Sequence, residues 1–295
     1  EATIHAAWVQ WSSLGFAMHG ASPGYAVIDP EALVLASLAF DQDERRLDRV
    51  MVAWLTGSGR LLSAGRFGNL MKEYPEPVQE KARSLAASLV AAGDVRFKRL
   101  AGRAHAGKEM VRPRGAPAGI ALRERTTLML KLRLAFGVGI KADALALLIG
   151  LAGARFTVRE VSDSLGYEER PTRRALEDLH AAGFVGSDAT SPVTYRADLA
   201  KWQSLLAFPN EPPLWRQWRE LYQVVAHLSD WESRVSDQWT PYVQGSRLRD
   251  LFEVLEPVLI RCAPDRPDWE KVVDQWPEVF HAWATRLAER MRATA

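Results

Sequence analysis

The sequence predicts a mainly α-helical, multidomain protein carrying one small β-hairpin, and three observations support this. Apolar residues recur at three- and four-residue spacing over most of the chain. Only the stretch from Phe184 to Arg196 reads as two short strands around a turn. At 295 residues the chain is longer than one core usually organises, so two or three domains are expected. Hydrophobic residues at 47% and charged residues at 25% match folded usage and exclude wholesale disorder.

Residues 1–95 read as an N-terminal helical domain. Asp29-Pro30-Glu31 supplies a capping side chain, a first-turn proline and an acidic residue ahead of Leu33, Ala36 and Leu38, which marks a helix start. Leu47, Val50, Met51, Trp54 and Leu55 form one further helical face, and Val78, Ala82, Leu85, Ala86 and Leu89 form another. Between them Gly57-Ser58-Gly59 reads as a turn, and Ser63 caps a short helix carrying Phe67, Leu70 and Met71.

Residues 96–140 read as a basic arm and a connecting helix. The formal charge of +2 conceals a segregation: residues 96–141 carry +10, whereas 1–95, 142–205 and 206–295 carry −3, −2 and −3. Such a block suits a polyanion. Arg112 and Arg114 lie in its Pro- and Gly-rich part; Arg123, Arg125, Lys131 and Arg133 lie on a helix expected over 123–136, which ends at Gly137-Val138-Gly139.

Residues 141–205 give three helices and a hairpin. The first helix runs over 141–151 with Ala144, Leu145, Leu148 and Leu151 inward. The second starts at a capping box, Thr157 to Glu160, and breaks at Gly166-Tyr167. The third starts near Arg170-Pro171, turns Ala175, Leu176, Leu179 and Ala182 inward, and stops at Gly183. Its other face presents Arg170, Arg173, Arg174 and Glu177, with the Thr172 hydroxyl nearby. Residues 206–295 form a Trp-rich helical domain in which Trp215, Trp218, Trp231, Trp239, Trp269, Trp276 and Trp283 serve as core or as a contact surface. Pro257 is expected to end or kink a helix there.

Residues 156–167 (FTVREVSDSLGY) and 170–185 (RPTRRALEDLHAAGFV) resemble the winged helix-turn-helix of bacterial transcriptional regulators of the MarR, ArsR and GntR type. The resemblance covers residues 142–205. It implies that the third helix enters the major groove of double-stranded DNA, with a homodimer on a roughly two-fold site. In that arrangement Arg170, Arg173 and Arg174 read bases, Thr172 binds phosphate, and Arg196 on the wing touches the flanking backbone or minor groove. Arg112, Arg114, Arg123 and Arg125 would add sequence-independent affinity.

No catalytic constellation is expected. The six histidines are scattered, no phosphate loop, nucleophile elbow or dinucleotide fingerprint is present, and the lone Cys262 cannot build a zinc cage. No metal or cofactor is therefore expected. Asp41, Asp43 and Glu44 beside Arg45 and Arg46 read as a self-neutralised loop. The absence of a long apolar run argues against a membrane span, and the first residues lack the features of a signal peptide, which together with the single cysteine fits a cytoplasmic, reducing setting. The expected function is a non-enzymatic, DNA-binding transcriptional regulator. The alternative is a protein-interaction adaptor or antitoxin-like subunit whose winged module and Trp-rich helices bind a protein partner.

Overall fold

The computed structural model of the chain describes residues 2–16, 24–40, 44–107, 109–111, 122–188, 191–206, 212–236, 238–262 and 273–294. It is mainly helical, with one small three-stranded antiparallel sheet. α1 (Ala2–Ser13) and α2 (Pro30–Ala39) precede α3 (Arg45–Ser58), α4 (Ala64–Met71), α5 (Glu76–Ala91) and the short α6 (Lys98–Ala101). α7 (Leu128–Phe136) leads into α8 (Ile140–Gly150), β1 (Phe156–Thr157), α9 (Val158–Leu165), α10 (Glu169–Ala181), β2 (Val185–Asp188) and β3 (Thr194–Ala197). α11 (Leu199–Leu206), α12 (Trp218–Glu232), α13 (Pro241–Cys262) and α14 (Trp276–Thr294) follow. Among the described residues no helix is long and apolar enough to cross a membrane.

α2 is the hub. Asp29 caps it by accepting from the Ala32 amide at 3.1 Å, and Pro30 to Leu38 are all buried. A helix that is apolar all round belongs in the middle of a core. Around it pack α1, α3, α4, α5 and, from far along the chain, α12. Trp218 and Tyr222 of α12 stack with centroids 5.4 Å apart, and the Tyr222 hydroxyl accepts from Gln10 Nε2 of α1 at 2.7 Å. α14 closes over α1. One hydrophobic cluster therefore takes in residues of α1 to α6 and of α12 to α14. This cluster draws residues from both sides of the boundaries expected at 95 and 206. Four tryptophans of the C-terminal stretch, Trp215, Trp218, Trp276 and Trp283, are buried. α13 runs on through Pro257 rather than ending there, and Gly57 and Ser58 complete the last turn of α3 instead of forming a separate turn.

The second cluster joins α7 to α11 and the sheet, with Val27 and Trp215 docked on it from outside. α7 supplies Leu128, Met129 and Leu132, so the expected connecting helix is part of this core. The sheet order is β1-β3-β2, with Phe156 opposite Tyr195 and Gly186 opposite Arg196. The capping box at Thr157 is formed: the Glu160 amide bonds Thr157 Oγ1 at 3.2 Å and the Glu160 carboxylate accepts from the Thr157 amide at 2.7 Å.

A buried charge network joins the two clusters. Arg66 of α4 reaches Asp29 Oδ2 at 2.5 Å and Glu31 Oε2 at 2.6 Å. Arg133 of α7 reaches Glu31 Oε1 at 2.7 Å and Asp143 Oδ1 of α8 at 2.7 Å, and donates to the Leu61 carbonyl at 2.8 Å. All five side chains are at most 2% exposed. Two cations facing three carboxylates in a dry interior satisfy one another only because every fork is bidentate or shared. Arg133 was expected to add to the basic field of residues 96–141. It is instead consumed inside the protein, where its guanidinium is shared among Glu31, Asp143 and the Leu61 carbonyl.

Glu220 of α12 has the opposite character. It is 1% exposed, neither carboxylate oxygen has a close hydrogen-bond partner among the described residues, and Arg261 Nε and Arg219 Nη1 lie 3.5 and 3.7 Å away. Burial pushes its pKa up, against the pull of Arg219 and Arg261. A carboxyl that holds its proton more tightly when folded lowers stability as pH rises through the ordinary glutamate range. Glu220→Gln is expected to stabilise the fold by about 1 kcal/mol at neutral pH. Thermal unfolding over a pH series checks this: the gain should shrink toward acid pH, and a loss of stability at neutral pH would refute it.

Candidate nucleic-acid interface

α9 and α10 are joined at Gly166, whose φ of +71° is open mainly to glycine. A Cβ there would lie 2.7 Å from Leu70 Cδ2 and 3.3 Å from the Arg219 guanidinium carbon, so the turn also needs the space. Tyr167, next in the chain, donates its hydroxyl to Asp143 Oδ2 at 2.8 Å. α10 then buries Thr172, Ala175, Leu176 and Leu179 against the cluster. The helix ends at Gly183, where the Phe184 amide bonds the Leu179 carbonyl at 2.9 Å.

The opposite face of α10 is exposed and carries Arg170, Arg173, Arg174, Glu177 and Asp178. Asp178 is paired with Lys141 of α8 at 2.8 Å, and this hydrogen bond holds its carboxyl below the usual range. The three arginines form no ion pair with a described residue. Their guanidinium forks are free to donate bidentately to phosphate oxygens or to guanine edges, while Glu177 can accept from a cytosine amino group.

The remaining expected residues divide. Thr172 is removed from the contact set: it is fully buried, and its hydroxyl donates to the Glu168 carbonyl at 2.8 Å, so it cannot reach a phosphate. Arg196 is exposed on β3. Its neighbours Tyr195 and Ala197 are buried, so Arg196 points to the outer face of the sheet, over Gly186 of β2. Arg123 is exposed, and Arg125 lies over the Tyr25 ring at 4.7 Å; both precede α7 in the chain rather than lying on α10. Arg112 and Arg114 lie outside the described residues.

Several supporting residues escaped sequence reasoning. Lys141 removes one acid from the α10 face. His180 ties α10 to the hairpin, with Nδ1 3.2 Å from the Val185 carbonyl and Nε2 3.1 Å from Ser187 Oγ. Arg155, just before β1, pairs at 2.6 Å with Asp188 at the turn end of β2. For Asp143 the sequence held only a partial signal, an acid set beside Lys141 at the start of an otherwise apolar helix. Comparison with protein-family models, with curated proteins and with solved structures gives no match. The geometry of the α10 face therefore carries the functional argument. Among the described residues no group of three or more His, Cys, Asp or Glu side chains could hold a metal ion.

Proposed function

We propose that residues 140–197 form a winged helix-turn-helix and that the protein is a DNA-binding transcriptional regulator of the cytoplasm. The order helix, strand, helix, helix, strand, strand and the sheet order β1-β3-β2 support the fold assignment. The observation that carries the functional reading is the outward face of α10, where Arg170, Arg173 and Arg174 stand exposed with no ion pair to a described residue, on a helix pinned by its buried side. In this reading α10 lies in the major groove, Arg196 meets the duplex backbone beside it, and the chain acts as a homodimer on a two-fold site.

Fluorescence anisotropy with a random-sequence duplex tests the reading. Affinity should fall linearly with salt on logarithmic axes, as counterion release requires. On a duplex selected by the wild-type chain, Arg173→Ala and Arg174→Ala should each weaken binding by about 1–3 kcal/mol. Absence of duplex binding at low salt, or unchanged affinity in both variants, would refute it.

A second reading, a protein-interaction adaptor, is favoured by a different observation. A groove of 710 Å³ lies between the end of α10 and α11, lined by Gly183, Phe184, Ala200, Trp202 and Leu205, with Leu205 69% exposed. Co-elution with a protein partner in the absence of duplex binding would decide for it.

A further inference from the structure

The turn between α9 and α10 is held from outside its own unit. The carbonyls at the end of a helix lack intrahelical partners and are met by solvent or by a cap. Here two of them are met by arginines of the surrounding body: Arg66 of α4 donates Nε to the Leu165 carbonyl at 2.6 Å, and Arg219 of α12 donates Nη1 to the Asp163 carbonyl. Arg219 is itself gripped by Glu73, which follows α4 and binds it through both carboxylate oxygens. His227, two turns further along α12, has Nε2 2.8 Å from the Glu73 carbonyl, so α12 fixes the backbone as well as the side chain of Glu73. Leu70 closes the turn from the same side, at Gly166.

Arg66 lies within the buried network and has no freedom to vary. Arg219 and Glu73 differ: they are 9% and 29% exposed, at the rim where body and unit meet. Their contact spans 146 residues of sequence and ends on the carbonyl three residues before Gly166. A helix presented to a nucleic acid gains affinity when its orientation is fixed before encounter, because the ordering entropy is already spent.

We propose that Glu73 and Arg219 are positioning residues for α10: from the body they set the angle at which the arginine face meets nucleic acid, without touching it. The inference rests on the DNA-binding reading of that face. It makes the body a determinant of recognition, so that any event at the α4–α12 rim is felt at α10.

The test uses the full chain with Glu73→Gln and, as a milder second variant, Arg219→Lys, which keeps the charge and loses the fork. Two quantities are read. The first is the ratio of affinities for a duplex selected by the wild-type chain and for a random-sequence duplex. This ratio should fall about 3- to 30-fold while random-duplex affinity holds. A purely structural role would leave the ratio unchanged in the folded fraction, and an unchanged ratio overturns the proposal. The second is hydrogen exchange without DNA at the Gly166 and Tyr167 amides, both bonded to the Ser162 carbonyl. Local loss of protection there supports the clamp; unchanged protection, or loss spread evenly over the molecule, overturns it. If the wild-type chain binds no duplex, the DNA-binding reading falls and exchange alone decides whether the clamp holds the turn.

Discussion

Arg133→Ala is expected to destabilise the protein by about 3–5 kcal/mol, the range for removing one partner from a buried ion pair. The asymmetry of the network sets where the loss falls. Glu31 keeps Arg66 and the Ser63 amide, but Asp143 is left with the Tyr167 hydroxyl alone. An almost uncompensated carboxylate then sits in the first turn of α8, fully buried beside Ala142, Ala144 and Leu145. Against a total stability of about 5–15 kcal/mol for an ordinary domain, such a loss would leave a substantial unfolded population at growth temperature. Urea unfolding followed by tryptophan fluorescence measures it, and a cycle with Asp143→Asn isolates the pair. A loss below about 1 kcal/mol would mean that water reaches the site.

The same network gives the acid limb of stability. Burial alone would raise the Asp29 pKa, but the Arg66 guanidinium beside it, together with the Ala32 amide and Arg133, holds the carboxyl below its usual range. A carboxyl depressed on folding contributes stability that is present above its unfolded pKa and is lost as pH falls through its folded one. The Asp29 contribution should therefore start to fall as pH drops into the ordinary aspartate range and be lost below it, which an acid titration followed by tryptophan fluorescence measures.

Gly166→Ala is expected to cost about 2–3 kcal/mol, from a left-handed backbone forced on a residue with a Cβ and from overpacking against a buried neighbour. Either contribution alone would be tolerable. Together they act at one atom, since Leu70 is fully buried and cannot swing clear of a methyl 2.7 Å away. The substitution should also reduce protection of the α10 amides more than those of α2. Gly183→Ala provides the comparison, because its φ of +76° carries the strain while no heavy atom lies within 4 Å of a Cβ built there. Equal losses in the two variants would show that Leu70 contributes nothing.

Local chemistry was the most legible part of the fold. The Asp29 cap, the Thr157 box and the stops at Gly166 and Gly183 each depend on residues within a few positions of one another, and each is present as the sequence implies. Helix faces were legible too, but not their mates: nothing in Leu33 or Trp218 says that α2 and α12 meet. The candidate site divides along the same line. Arg170, Arg173 and Arg174 share one exposed face because helical periodicity dictates it. Thr172, one step round the helix, falls on the buried side, where its hydroxyl bonds back to Glu168. Arg133 is the clearest failure, since counting charges along a sequence cannot distinguish a solvated arginine from one committed to Glu31 and Asp143.

The pairing of α1 with α14 and of α2 with α12 has a consequence for how the chain reaches this structure during synthesis. Elements close in sequence can meet as soon as they leave the ribosome, whereas partners separated by most of the chain must wait. The α7 to α11 segment contains almost all of its own apolar contacts and can condense early. The first six helices cannot bury their shared face until α12 to α14 have been made, more than a hundred residues later. The nascent protein therefore passes through a stage with a finished centre and an open periphery. In that interval its exposed α1 and α2 surface is the part most dependent on protection from aggregation.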